Sequence, residues 1–324
     1  MCIRDSQSTA LNYINPARNR LNLTLRGDCT VQKVIFENDR AVGVQVESGG
    51  ENFEVYGDEI ILSSGSIGSP QLLMVSGVGP REHLNELGIP VVNALPGVGQ
   101  NLRDHPQVHL VWNVREDYEH HREGLIRGAT MAIRYTAEGS DLHNDMLIQS
   151  TATAPGKTFM VDSETLYTGV GMIAFIYLAK GCGELKLRSP DARVQPHLNY
   201  NYFREEEDLR RMRECVRLCV KVGDGSTYEE IVAERVKPTD TVLRDDASLN
   251  QWIRENVTTS HHISSTCKMG PSSDDMAVVD QYGKVHGVKG LRVADASILY
   301  DCPRANTNVP TMKLGERIPE FIKT

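Results

Sequence analysis

Read without any other information, the sequence predicts a two-part chain of mixed class, α/β joined to α+β with an antiparallel sheet. Three observations carry this. At ~100–200 residues per domain, 324 residues make room for about two domains. A series of short strands near the N-terminus runs into a strand, a small-residue loop and a helix, and strand-like text returns near the C-terminus. Between them lies a stretch of strand-like runs, followed by one strongly amphipathic helix.

Met1–Ser6 have no readable pattern and are set apart from the fold. Strands are expected at Leu23–Leu25, Val31–Phe36, Ala41–Glu47, Phe53–Val55 and Glu59–Ser63, with turns at Asn38-Asp39 and Gly49-Gly50. A helix is expected after Ser69 as N-cap, with Pro70 at its first position and Gly77 as its stop. The middle of the chain offers strands at Thr130–Tyr135, Met146–Thr151, Gly169–Ala179 and Glu184–Leu187. Arg204–Val222 then places Leu209, Met212, Val216, Cys219 and Val220 on or near one helical face. The tail reads as strands at Ala277–Asp280, Lys284–Val285 and Leu291–Ala294, then a helix from Pro310 to Ile318 that Pro319 should break or kink.

Composition narrows the function. Apolar residues make up 40% and charged residues 24%, which fits a globular chain and not a disordered one. The balance of 35 basic against 43 acidic residues, a net of −8, without a basic cluster among aromatics, argues against a nucleic-acid partner. The strongest apolar stretch, Met172–Ala179, is far short of a membrane helix, so no membrane span is expected. Seven scattered cysteines without a CxxC pair fit neither a disulfide framework nor a zinc ribbon, so a reducing, cytoplasmic location and no metal are expected.

Four stretches could carry chemistry. Gly65-Ser66-Ile67-Gly68-Ser69-Pro70 joins a buried strand to a helix N-terminus, where bare backbone approaches a phosphate or planar ring, although a tight turn alone accounts for it equally well. Gly97–Pro106 is a polar loop best read as structural. Thr259–Gly270 contains His261 and His262 among small polar residues. An imidazole there suits general-base work, and a satisfied structural histidine is the commoner alternative. Leu291–Ser297 is a buried-looking strand ending in Asp295, which is either a cofactor contact or a turn cap, and Arg304–Thr311 leads into the last helix.

In this order the pieces resemble the glucose–methanol–choline (GMC) family of flavin-dependent alcohol oxidoreductases. Gly65–Gly79 is similar to the family's second signature over its whole length, and Asn101-Leu102-Arg103-Asp104-His105 resembles the loop after its Val-Gly-x-Asn turn. His262–Gly270 resembles its His-x-x-Gly-Thr-Cys-x-Met-Gly. Val278-Val279-Asp280, Asp295-Ala296-Ser297 and Asn306-Thr307-Asn308 resemble its C-terminal block. Ser265 stands where the family has glycine, and Pro319-Glu320 replaces the usual small-acidic pair. The family's early strand–GxGxxG–helix has no counterpart. The resemblance therefore implies a truncated copy: a partial, Rossmann-like FAD-binding domain without its N-terminal dinucleotide unit, plus an α+β substrate domain. It also implies that these residues alone will not hold FAD.

The expected partition is 7–108 and 259–324 for the FAD-binding part and 109–258 for the substrate part. The resemblance implies oxidation of a small-molecule alcohol to a carbonyl, with FAD as cofactor and oxygen or a quinone-like carrier as electron acceptor. His262 would be the base and Asn306 would hold the developing alkoxide. Val31, Ser66, Asp295, Ala296 and Asn308 would lie near the FAD. A hydroxynitrile lyase on the same scaffold and an inactive fragment are the alternatives.

Overall fold

The computed structural model describes residues 8–115, 129–151 and 169–323. Ala10–Ile14 forms an exposed π-helical turn that passes into α1 (Asn15–Ala17). Three strands follow, β1 (Thr30–Glu37), β2 (Arg40–Ser48) and β3 (Glu51–Tyr56), then β4 (Ile60–Leu62), α2 (Gly65–Val75), β5 (Val78–Gly79), α3 (Arg81–Glu86) and β6 (Asn93–Ala94). The middle contains β7 (Pro106–Val114), β8 (Ala129–Tyr135), β9 (Met146–Thr151), β10 (Gly169–Ile176), β11 (Glu184–Lys186) and β12 (His197–Asn199). Then come α4 (Glu206–Gly223), β13 (Val232–Lys237), α5 (Asp240–Leu243), α6 (Asp246–Asn256), β14 (Thr258–Thr259), β15 (Leu291–Val293) and α7 (Asn308–Ile322). They assemble into two compact units. A mixed unit takes the described parts of Gln7–Asp104, Cys182–Asn201 and His262–Thr324, and a sheet unit takes those of His105–Gly181 and Tyr202–His261.

In the mixed unit β1, β2 and β3 form the expected antiparallel meander, turning at Asn38 with φ 55° and at Gly49-Gly50. Leu23–Leu25 is not a strand. Leu21 and Leu25 are exposed, and no strand among the described residues supplies a ladder. Beneath the meander β15 pairs with β4 in parallel, Leu291 against Ile60 and Val293 against Leu62. In the tail, 277–285 forms isolated bridges, Met269 to Val279 and Val279 to Val285, in place of regular strands. The core gathers Leu72, Leu73 and Met74 of α2 with Val278, Val279, Leu291 and Val293. Burying a large apolar side chain contributes roughly 1.5–3 kcal/mol.

Both prolines expected to bound helices lie inside them. α2 starts at Gly65, ahead of the predicted cap at Ser69, and Pro70 sits in its second turn. Pro70 has no N–H for the Ser66 carbonyl four residues back. That carbonyl accepts the Thr266 hydroxyl instead, at 2.7 Å. α7 continues through Pro319 to Ile322. The carbonyl that Pro319 leaves open belongs to Gly315, which is exposed and has no side chain to crowd the ring. Gly77, at φ 88°, ends α2's C-terminal turn as expected.

The sheet unit is an antiparallel sheet ordered β13-β7-β10-β9-β8, with β14 on the end of β7. One face presents Val108, Leu110, Trp112, Met146, Ile148, Met172, Ala174 and Ile176 to Leu209, Met212, Cys215, Val216 and Cys219 of α4. The stripe on α4 is the one its periodicity predicts. Arg211, on the same helix and fully buried, donates to Asp145 at 2.6 Å, to the Leu178 carbonyl at 2.9 Å and to Asp208 at 2.5 Å. Asp208 in turn accepts the Lys180 and Gly181 N–H groups, each at 2.9 Å.

Candidate functional site

In parallel pairs, ligands collect where the strands end at their carboxyl termini. β4 ends in Ser63-Ser64-Gly65 and enters α2, while β15 ends in Ala294-Asp295 and enters a 3-10 turn at Ala296–Ile298. Asp295, 4% exposed, joins the two exits. One carboxylate oxygen accepts the Ser297 N–H at 2.8 Å, and the other accepts the Gly65 N–H at 3.0 Å and the Ser69 hydroxyl at 2.6 Å. The side chain is thus a turn cap, the alternative the sequence left open. Its influence on a ligand runs through the Gly65 turn it holds.

That turn is open. Gly65 has φ 78°, and nothing lies within 4 Å of where a side chain would start. Next to it, the buried Ser66 hydroxyl has no hydrogen-bond partner among the described residues. The first N–H groups of a helix find no acceptor within it, so bare backbone, a free hydroxyl and a positive helix end converge here. This combination fits a polar, anionic portion of a dinucleotide cofactor.

The histidine motif forms a ribbon between two others. On one side the Ser265, Cys267 and Met269 N–H groups donate to the carbonyls of Ala296, Ser297 and Ile298 at 3.1, 2.8 and 3.0 Å. On the other, Arg103 and Ser264 exchange N–H to carbonyl bonds at 3.0 and 2.9 Å, and the Gly99 N–H donates to the Thr266 carbonyl at 2.8 Å. Thr266 also anchors to α2 through Ser66. At the head of the ribbon, the half-buried His262 donates its backbone N–H to the buried Asp104 at 2.9 Å. Its carbonyl accepts the Cys302 thiol at 3.7 Å, and burial pushes that thiol up to about 12, which keeps the donating proton in place. The ribbon departs from the extended form at His261 and Ser265, with φ 60° and 70°. Ser265 therefore holds a left-handed conformation that favours glycine.

Hydrogen bonds bring Ser66, Asp295, Ala296 and the His262 ribbon together. Val31 is half-buried on β1, which is held to α2 by the Val34 N–H donating to the Ser76 hydroxyl at 2.8 Å. Asn306 and Asn308 stand exposed at the entrance to α7. Asp104, Thr266, Ser69 and Cys302 were missed as members of the site. The first three lie within stretches that the sequence singles out, Gly97–Pro106, Thr259–Gly270 and Gly65–Pro70, and Cys302 left no signal.

Two models described as GMC oxidoreductase match the chain, one over residues 4–107 and the other over 179–315. The chain belongs to the GMC oxidoreductases. It is similar to mitochondrial choline dehydrogenase of Mus musculus, 35% identical over 98% of this chain and 56% of the mouse protein. It is also similar to the oxygen-dependent choline dehydrogenase of Photobacterium profundum, 32% identical over 99% of this chain and 59% of that protein. The chain thus spans less than two thirds of these relatives. Among solved structures, pyridoxine 4-oxidase from Mesorbium loti shares the fold with a TM-score of 0.88 and 21% identity, covering 98% of this chain and 62% of that one. A fungal aryl-alcohol oxidase shares it with a TM-score of 0.82 and 22% identity, covering 97% and 63%. The mixed α/β GMC fold is present here in part.

Proposed function

We propose that this chain forms the larger part of an FAD-dependent oxidoreductase that converts a small-molecule alcohol to a carbonyl, with His262 as the base. The double anchoring of the 262–269 ribbon carries this reading. Asp104 and Cys302 fix the backbone of His262 on both sides, so the imidazole works from a rigid mount. His262 takes the hydroxyl proton, and the side-chain NH₂ of Asn306 donates to the oxygen that gains charge. Bound flavin supplies the acceptor for the carbon-bound hydrogen. Ser66 holds the cofactor by its hydroxyl at the open Gly65 turn, with Val31 and Ala296 beside it. Asp295 keeps the Gly65 turn in shape. Asn308 and the N-terminal end of α7 favour negative charge. Residues 7–108 and 259–324 serve the cofactor and 109–258 the substrate. The relatives are dehydrogenases and oxidases, which favours this reading over a lyase.

The test is His262→Ala in the enzyme that carries this chain. Flavin reduction by substrate should slow by on the order of 10²–10⁴-fold while FAD stays bound. Near-normal reduction would remove His262 from the role. Asn306→Ala should lower kcat more than it raises KM.

A further inference from the structure

The second face of the sheet unit carries polar groups that the described residues leave unmatched. Strand register places His109 across from Ile173, and Ile173 across from Gln149. It also sets Lys237 of β13 opposite Val111, on the same face and diagonal to His109. The His109 Nε2 is buried with no hydrogen-bond partner among the described residues. Burial, helped by the neighbouring Lys237 charge, pushes His109 down to about 4, so the imidazole is neutral. Lys237 is half-buried and forms no ion pair among the described residues, and burial lowers its pKa too. The register also puts the carboxylate of Glu234 on this face, but it lies at the exposed end and accepts the Asn113 amide at 3.0 Å.

A half-buried ammonium beside an unbonded imidazole is costly unless an anion completes the set. Among the described residues the face is equally poor for a cation. A quaternary ammonium needs an open aromatic ring or a carboxylate. The Tyr177 ring stacks on His105 at 4.1 Å and has the Arg134 guanidinium 5.4 Å from its centroid.

We propose that Lys237 and His109 form a binding site for a small carboxylate on the sheet unit, the ammonium as countercharge and Nε2–H as donor. The site rests on the sheet unit alone. The test is thermal unfolding of the full 324-residue chain titrated with glycolate or choline at fixed ionic strength. Glycolate should raise the midpoint saturably. Lys237→Met should weaken that response at least tenfold and Lys237→Arg should keep it. Choline should shift neither protein. His109→Gln, which keeps a donor, should weaken the response less than Lys237→Met, and it serves as the reporter if the methionine variant does not fold. A choline shift equal to that of glycolate, or an undiminished glycolate response in Lys237→Met, would overturn the proposal. The readout needs neither flavin nor turnover.

Discussion

Asp295→Ala separates what this carboxylate does for the fold from what it does for a ligand. Its loss strands three donors. The Ser297 N–H is fully buried and loses its acceptor outright, at about 1–3 kcal/mol. The Gly65 N–H is half-buried, so water restores part of its bond. The Ser69 hydroxyl still accepts the Ser64 N–H at 3.1 Å and loses only its donation. The sum is about 2–4 kcal/mol. Asp295→Asn retains one carbonyl oxygen and sets an NH₂ against the remaining donor, for about 1–2 kcal/mol. At 1.4 kcal/mol per decade, amide exchange at Gly65 and Ser297 should accelerate about 30- to 700-fold in the alanine variant, with the urea midpoint falling in step. If both amides keep their protection within twofold and the midpoint holds, the carboxylate does not brace this turn.

Three further substitutions probe the sheet unit. Arg211→Met leaves Asp145 and Asp208 buried without their cation and should cost about 3–5 kcal/mol in urea denaturation. Burial alone would raise Asp145, but the Ser140 hydroxyl, the Ala137 N–H and the Arg211 guanidinium together hold it below its ordinary value near 3.8. Its folded pKa lies below its unfolded one, so its contribution is present above about pH 4 and is lost as the pH falls through the folded value. Asp145→Asn should flatten that acid limb. Gly223→Ala would put a Cβ 2.3 Å from the Trp112 ring, costing about 1–3 kcal/mol. It should also disturb the 2.8 Å bond from the indole N–H to Asp224, read as a change in Trp112 emission in a Trp252→Phe background.

The sequence made the amphipathic stripe of α4 and the turns of the meander plain, because each follows from local chemistry. It hid β7. Val108, Leu110, Val111 and Trp112 are all buried, so this strand lacks the alternation by which a half-exposed strand is recognised. His262 stood out through its motif, while the Asp104 that holds it lies 158 positions away and is joined to it only by the fold. Lys237 and His109 meet through strand register, which no local pattern encodes. Pro70 misled for a physical reason: a proline signals a helix start only while nothing else is available to take the carbonyl it leaves open.

That carbonyl bears on how the chain comes together in time. Ser66 waits for Thr266, 200 residues later, and the Gly65 turn waits for Asp295, 230 later. At about 5–20 residues per second, a ribosome takes roughly 10–40 s to cover the first of these spans. During that interval the mixed unit has its meander and then α2 but lacks β15 and the ribbon, while the sheet unit's residues 105–181 and 202–261 are being made. β4 therefore spends tens of seconds without its β15 partner. The mixed unit's dependence on chaperones should be greatest in that interval and should end when residues 262–298 arrive.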